Sequence, residues 1–149
     1  MSKNKLHQWT KQDPIKNFFL VPNAVFQLDL SASAKLVYAY LLYCEDRKTH
    51  QCYPSYRKIG ENVGMSKKTV GKYVTELVDK RLISTENTTI ITKDGRKRNG
   101  ALLYTILPIQ EAIEDYHRRE MVRLKEETAR QEAQKKLSEY DRKHPKPAA

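Results

Sequence analysis

Residues 54–80 read PSYRKIGENVGMSKKTVGKYVTELVDK, and the spacing within them decides the fold class. Pro54 and Ser55 suit a helix start, because proline fits the first turn and a serine oxygen can accept from an amide left open there. That helix is expected to end near Val63, where Gly64 tolerates the positive φ of a sharp turn between helices. Ser66 then caps a second helix running to about Lys80. Its apolar residues Val70, Tyr73, Val74, Leu77 and Val78 fall on one broad face. Lys67, Lys68, Gly71, Lys72 and Thr75 are left toward the other, which is almost wholly basic or hydroxylic.

Two helices that cross this closely need a small residue where they approach and apolar residues at fixed offsets around the turn. Counted from Gly64, Gly60 lies four back, Ile59 and Val63 lie five and one back, and Met65, Val70 and Tyr73 lie one, six and nine ahead. Every position fits a helix-turn-helix.

Working outward, Leu30 to Leu41 carries Ala34, Val37, Tyr38 and Leu41 at helical spacing behind Ser31, a natural N-cap. Before it, FFLVPNAVFQL (18–28) is broken by Pro22 and Asn23 into a short strand, expected at the sheet edge, and a turn or short helix. EDRKTHQCY (45–53) is charged and turn-like. On the other side, Leu82 to Thr92 and Ala101 to Ile106 read as strands flanking KDGRKRNG (93–100), which predicts a β-hairpin with a basic tip. Pro108 stops the second strand, and Ile109 to about Lys143 is helix-prone. The expected architecture is mainly α with a small β-hairpin, a winged helix-turn-helix followed by a long C-terminal helix. Its parts are a flexible arm at 1–17, the winged domain at 18–107, the helix at 108–143 and a disordered tail at 144–149.

Charge adds a direction. Up to residue 108, 18 Lys and Arg stand against 9 Asp and Glu, whereas beyond it 10 stand against 9. The basic excess therefore belongs to the compact part, where it attracts polyanions, nucleic acid foremost. With hydrophobic residues at 39% and charged ones at 31%, part of the chain must be solvated, and the C-terminal third is the candidate. No apolar run nears the length of a membrane span and the N-terminus lacks a secretory signal, so a cytoplasmic protein without membrane contact is expected. Cys44, Cys52 and His50 have ligand chemistry but lack a fourth partner and the short cysteine spacing of a zinc knuckle, so the thiols are read as core-edge residues and no metal or cofactor is expected. No nucleophile, base and orienter can be assembled, which argues against an enzyme.

On FFLVPNAVFQL, LSASAKLVYAYLLYCEDRKT, the stretch from Gln51 to Ile83 and TKDGRKRNG before LLYTILPIQEAI, the chain resembles winged helix-turn-helix proteins of Gram-positive bacteria, many carried on mobile elements. It is similar to the N-terminal DNA-binding domain of RepA-type plasmid replication initiators and to many small transcription regulators. The resemblance implies that Ser66, Lys67, Lys68, Gly71, Lys72 and Thr75 lie in or beside the major groove of double-stranded DNA, with Gly71 allowing close backbone approach. Ser55 and Tyr56 would touch a phosphate at a helix start, and Lys93, Arg96, Lys97 and Arg98 would follow the backbone. A transcriptional regulator is the leading expectation; the alternatives are replication initiation on a plasmid or mobile element and a protein-binding adaptor. Ile109, Ala112, Ile113 and Tyr116 are expected to pack on the domain. Beyond them Val122, Ala129, Ala133, Leu137 and Tyr140 approximate a heptad seam interrupted by Glu126 and Lys136, which leaves a homodimer through this helix, a single solvated helix and a protein-docking helix all open.

Overall fold

Ser31 opens the first long helix, α1 (Ala32–Cys44), its hydroxyl oxygen accepting from the Ala34 amide at 3.2 Å. The same device starts α2 (Tyr56–Val63), where Ser55 accepts from Lys58, and α3 (Lys67–Asp79), where Ser66 accepts from Thr69. Three serines thus fix the entry of three helices by satisfying amides that have no partner within the helix. The computed structural model describes residues 18–147. The arm expected at 1–17 and the last two residues of the expected tail lie outside them.

Between α2 and α3 the chain turns at Gly64, which has φ 76° and caps α2. Both the Gly64 and Met65 amides donate to the Gly60 carbonyl, at 2.8 and 2.9 Å. Gly60 itself sits where a Cβ would overlap the Met65 carbonyl oxygen. The two glycines serve different needs, one a left-handed backbone and the other a lack of bulk.

After α3 come β2 (Ile83–Ile91) and β3 (Lys97–Ile106), an antiparallel hairpin with Ile83 opposite Ile106 and Ile91 opposite Lys97. A two-residue strand, β1 (Gln51–Cys52), pairs with β3 on its other side, giving a sheet in the order β1-β3-β2. The sheet differs from the one expected. The third strand comes from the turn-like 45–53 stretch, while Phe18 to Pro22 forms no strand and leads into a 3₁₀ turn at Asn23–Gln27. A hydrogen bond from the Asp46 amide to the Gln51 carbonyl, 2.9 Å, closes the loop and delivers β1 to the sheet. Such a strand rests on pairing with β3 and leaves almost no periodic signal of its own.

The hairpin tip is also shorter than KDGRKRNG suggested. Thr92 and Arg96 close a three-residue loop, with the Thr92 amide donating to the Arg96 carbonyl at 3.0 Å and Gly95 at φ 75°. Lys97 and Arg98 are strand residues paired with Ile91 and Ile90. Gly100 belongs to no turn. It lies at an irregularity in the β2–β3 register, where a Cβ would overlap the Thr88 hydroxyl.

Tyr38 and Leu41 of α1, Ile59 of α2, Val70 and Leu77 of α3, Leu82 just before the sheet, and Ile83 and Tyr104 within it form the core. Val78, expected on the buried face of α3, is 39% exposed. The last helix, α4 (Ile109–Lys143), docks by its first turns: Ala112 is buried, and Ile109, Ile113 and Tyr116 pack against the core as expected. Asp115, 7% exposed, receives Arg119 Nε at 2.8 Å, Arg118 at 3.5 Å and Arg81 at 3.7 Å. From Met121 onward every described residue of α4 is exposed. Among the described residues no helix is long and apolar enough to cross a membrane.

The turn yields a stability test. Gly64→Val forces a β-branched residue into positive φ and should cost about 1 to 3 kcal/mol in urea unfolding. Gly60→Ala should cost at least as much, because the methyl group has to displace backbone. A wild-type midpoint in either variant would mean that the crossing does not depend on that glycine.

Candidate nucleic-acid interface

The solvent face of α3 carries Lys67, Lys68, Lys72 and Thr75, all exposed, with Ser66 at its N-terminus. Lys72 reaches back over the Tyr73 ring, Nζ lying 5.5 Å from its centre, so the stem runs along the helix while the ammonium stays in water. Ser66 and Thr69 share a hydrogen bond of 2.9 Å between their hydroxyls. The Thr75 hydroxyl donates to the Gly71 carbonyl at 2.9 Å, leaving its lone pairs outward.

Two sequence-expected residues turn out to be occupied with one another. Gly71 faces the ring of Tyr56, whose Cε2 would stand 3.2 Å from a Cβ at that position. The glycine therefore makes room for an aromatic ring of α2. Tyr56 is half-buried, and after burial itself it is the next cause that pushes the phenol of Tyr104 above its usual range. Ser55 stays exposed at the start of α2. Tyr53 and Lys58 line the same cleft of about 560 Å³. The pattern reading omitted both, Tyr53 because it precedes the helix and Lys58 because a single surface lysine carries no periodicity.

The acids of α3 matter as much as its lysines. Glu76 receives the Ser31 amide at 3.0 Å and the Ser31 hydroxyl at 3.0 and 3.1 Å, so its carboxylate sits at the positive end of α1. Asp79 accepts from Arg119 of α4 at 3.3 Å, and its carbonyl accepts from the same guanidinium at 2.7 Å. Both carboxylates are thus engaged by other elements and not by the lysines of α3. Sequence spacing does not reveal these partners, which lie 45 and 40 positions away.

On the hairpin, Lys93 sits in the turn, Arg96 closes it, and Lys97 and Arg98 extend from β3; all four are exposed. Ile90 and Ile91 across from them are exposed too, at 55% and 70%. The outer hairpin therefore projects beyond the core. Cys52 is buried, and burial first and Cys44 second push its thiol up to about 12, so it behaves as a small apolar side chain.

Residues 28–83 match a family model described as a helix-turn-helix domain. That span runs from the approach to α1 to the start of β2. Together with the β2–β3 hairpin it makes a winged helix-turn-helix. No curated protein matches the chain. Among solved structures, the chain is similar to a possible transcriptional regulator from Methanosarcina mazei, at 17% identity and a TM-score of 0.47, over 76% of this chain and 97% of that one. It is also similar to the zinc-responsive MarR family member ZitR of Lactococcus lactis, at 15% identity and a TM-score of 0.41, over 95% and 94%. A third likeness is the MepR–DNA complex of S. aureus, at 14% identity and a TM-score of 0.38, over 92% and 96%.

The Ser31–Glu76 contact is open to a double-mutant cycle. Ser31→Ala should lower stability by about 1 kcal/mol, through the lost cap and the lost bond to Glu76. Glu76→Ala should then cost less in that background than alone. Strictly additive effects would show that the Ser31 hydroxyl and the Glu76 carboxylate do not interact.

Proposed function

We propose that this protein is a regulator of transcription that binds double-stranded DNA as a homodimer, placing α3 in the major groove and the β2–β3 hairpin along the backbone. One observation carries the reading: Lys67, Lys68 and Lys72 share the solvent face of a helix whose own carboxylates are engaged elsewhere. A helix of about 10 Å diameter fits a major groove about 12 Å wide. Ser66 and Thr75 are placed to meet base edges or phosphates, the lysines to meet phosphates, and Ser55 to meet a phosphate at the start of α2. Lys93, Arg96, Lys97 and Arg98 have little packing value at an exposed hairpin, and phosphate is their natural partner. Gly71 and Tyr56 act at one remove, by packing α2 against α3.

A protein partner for α3 is disfavoured, because interface centres are depleted of lysine. The reading is of a binding protein and not an enzyme. The homodimer rests on the exposed half of α4, along which Val122, Ala129, Ala133, Leu137 and Tyr140 follow an approximate heptad. Selection of bound duplexes from a random pool tests both parts. A recovered palindrome supports the dimer, a single half-site supports DNA binding by one copy, and no enrichment overturns the reading.

Affinity for random duplex should fall steeply as salt rises, since counterions leave as lysines and arginines neutralise phosphates. Lys68→Ala and Lys72→Ala should each weaken binding by about 1 kcal/mol or more with an unchanged melting temperature. Replacing Arg96, Lys97 and Arg98 together by alanine should weaken binding to selected and random duplexes alike and flatten the salt slope. Loss confined to the selected site would instead assign base or groove reading to the hairpin. Fluorescence anisotropy across a salt series gives the binding results, and thermal melting of the two lysine variants gives the rest.

A further inference from the structure

A cleft of about 640 Å³ lies where the segment before α1, the side of α1 and the root of α4 meet. Val21, Leu42, Ile106 and Ile109 are among its walls, and Glu45 and His50 are its ionisable groups beside the phenol of Tyr38. Its size falls in the range of small-molecule sites, about 300 to 1,000 Å³, which combine apolar walls with a few fixed polar groups.

Glu45 is the unusual member. It ends α1, its side chain is 19% exposed, and its Oε2 is buried with no hydrogen-bond partner among the described residues. The nearest cation-forming group is His50 Nδ1 at 3.5 Å, on a side chain that is 62% exposed and so largely in water. A carboxylate oxygen shut away from solvent without a donor is costly, and a donor bearing positive charge relieves that cost best. Glu45 also lines an adjoining cleft of about 460 Å³ that includes Phe18, Phe19 and Tyr43. There the Phe19 and Tyr43 rings pack with centres 5.8 Å apart.

We propose that this cleft binds a small organic cation with an aromatic body, an arylalkyl amine or amidine, whose charged head pairs with the partly exposed Glu45 carboxylate and whose ring lies against the apolar walls. An anion is repelled by Glu45, and a neutral polar molecule leaves the apolar walls unmatched. A metal ion is a poor fit, since among the described residues no group of three His, Cys, Asp or Glu side chains gathers to hold one. The cleft includes no residue of α3 or of the hairpin turn, so the proposal stands apart from the reading of DNA binding.

The test is isothermal titration of the full chain with 2-phenylethylamine, 2-phenylethanol and 3-phenylpropionate at neutral pH. Saturable binding is expected for the amine, with the alcohol and the acid at least about tenfold weaker, as befits a charge-assisted hydrogen bond. Glu45→Gln, which keeps the shape and removes the charge, should weaken the amine about tenfold and leave the alcohol unchanged. Leu20→Arg places the chain's own cation at the mouth of the cleft, on a residue that is 82% exposed, and should also weaken the amine; it decides the matter if Glu45→Gln fails to fold. Equal binding of amine and alcohol, full retention by Leu20→Arg and by a folded Glu45→Gln, or no binding of the amine each overturns the proposal.

Discussion

The contact on which the molecule depends is the approach of α3 to α2 across the Gly60 carbonyl. Two amides at the turn share that oxygen, and the position of Gly60 has no space for a side chain. The crossing is therefore set by backbone atoms, which neither shorten nor rotate to relieve a misfit. Once it is fixed, Ile59 and Val70 meet in the core, and Tyr56 settles over Gly71. The direction in which the lysines of α3 leave the protein follows from the same contact. A side chain at Gly60 would disturb the presentation of the basic face before it touched any charge.

Electrostatics acts here by arrangement more than by total. The chain has a net charge of +10, yet α3 contains Glu76 and Asp79, which would soften its field if they lay free in water. Glu76 is turned to the start of α1, and Asp79 is held by Arg119 of α4. Arg119 also anchors the buried Asp115. One guanidinium thus joins the C-terminal end of α3 to the root of α4. Burying Asp115 is tolerable because three guanidiniums surround it. Beyond that root α4 leaves the domain and becomes a fully exposed surface, so the same helix is core at one end and open to solvent at the other.

Much of this was legible in the residues alone. The caps Ser31, Ser55 and Ser66, the turn at Gly64, the small residue at Gly60 and the docking of Ile109 to Tyr116 follow from local rules of spacing, φ and unpaired amides, which a linear sequence carries in full. The lysine face of α3 was legible for the same reason, since helical periodicity sorts residues without knowledge of what surrounds them. What only the tertiary structure decided are relations between residues far apart in the chain. Gln51 and Cys52 become a strand because β3 offers them a free edge, and Gly71 serves Tyr56 because α2 lies across it. Glu76 leaves the basic face because Ser31 stands 45 residues away with two donors. Glu45 is left with an oxygen unpaired among the described residues because three segments close around it. Each depends on the mutual position of elements, and a pattern read along one element holds no record of its neighbour.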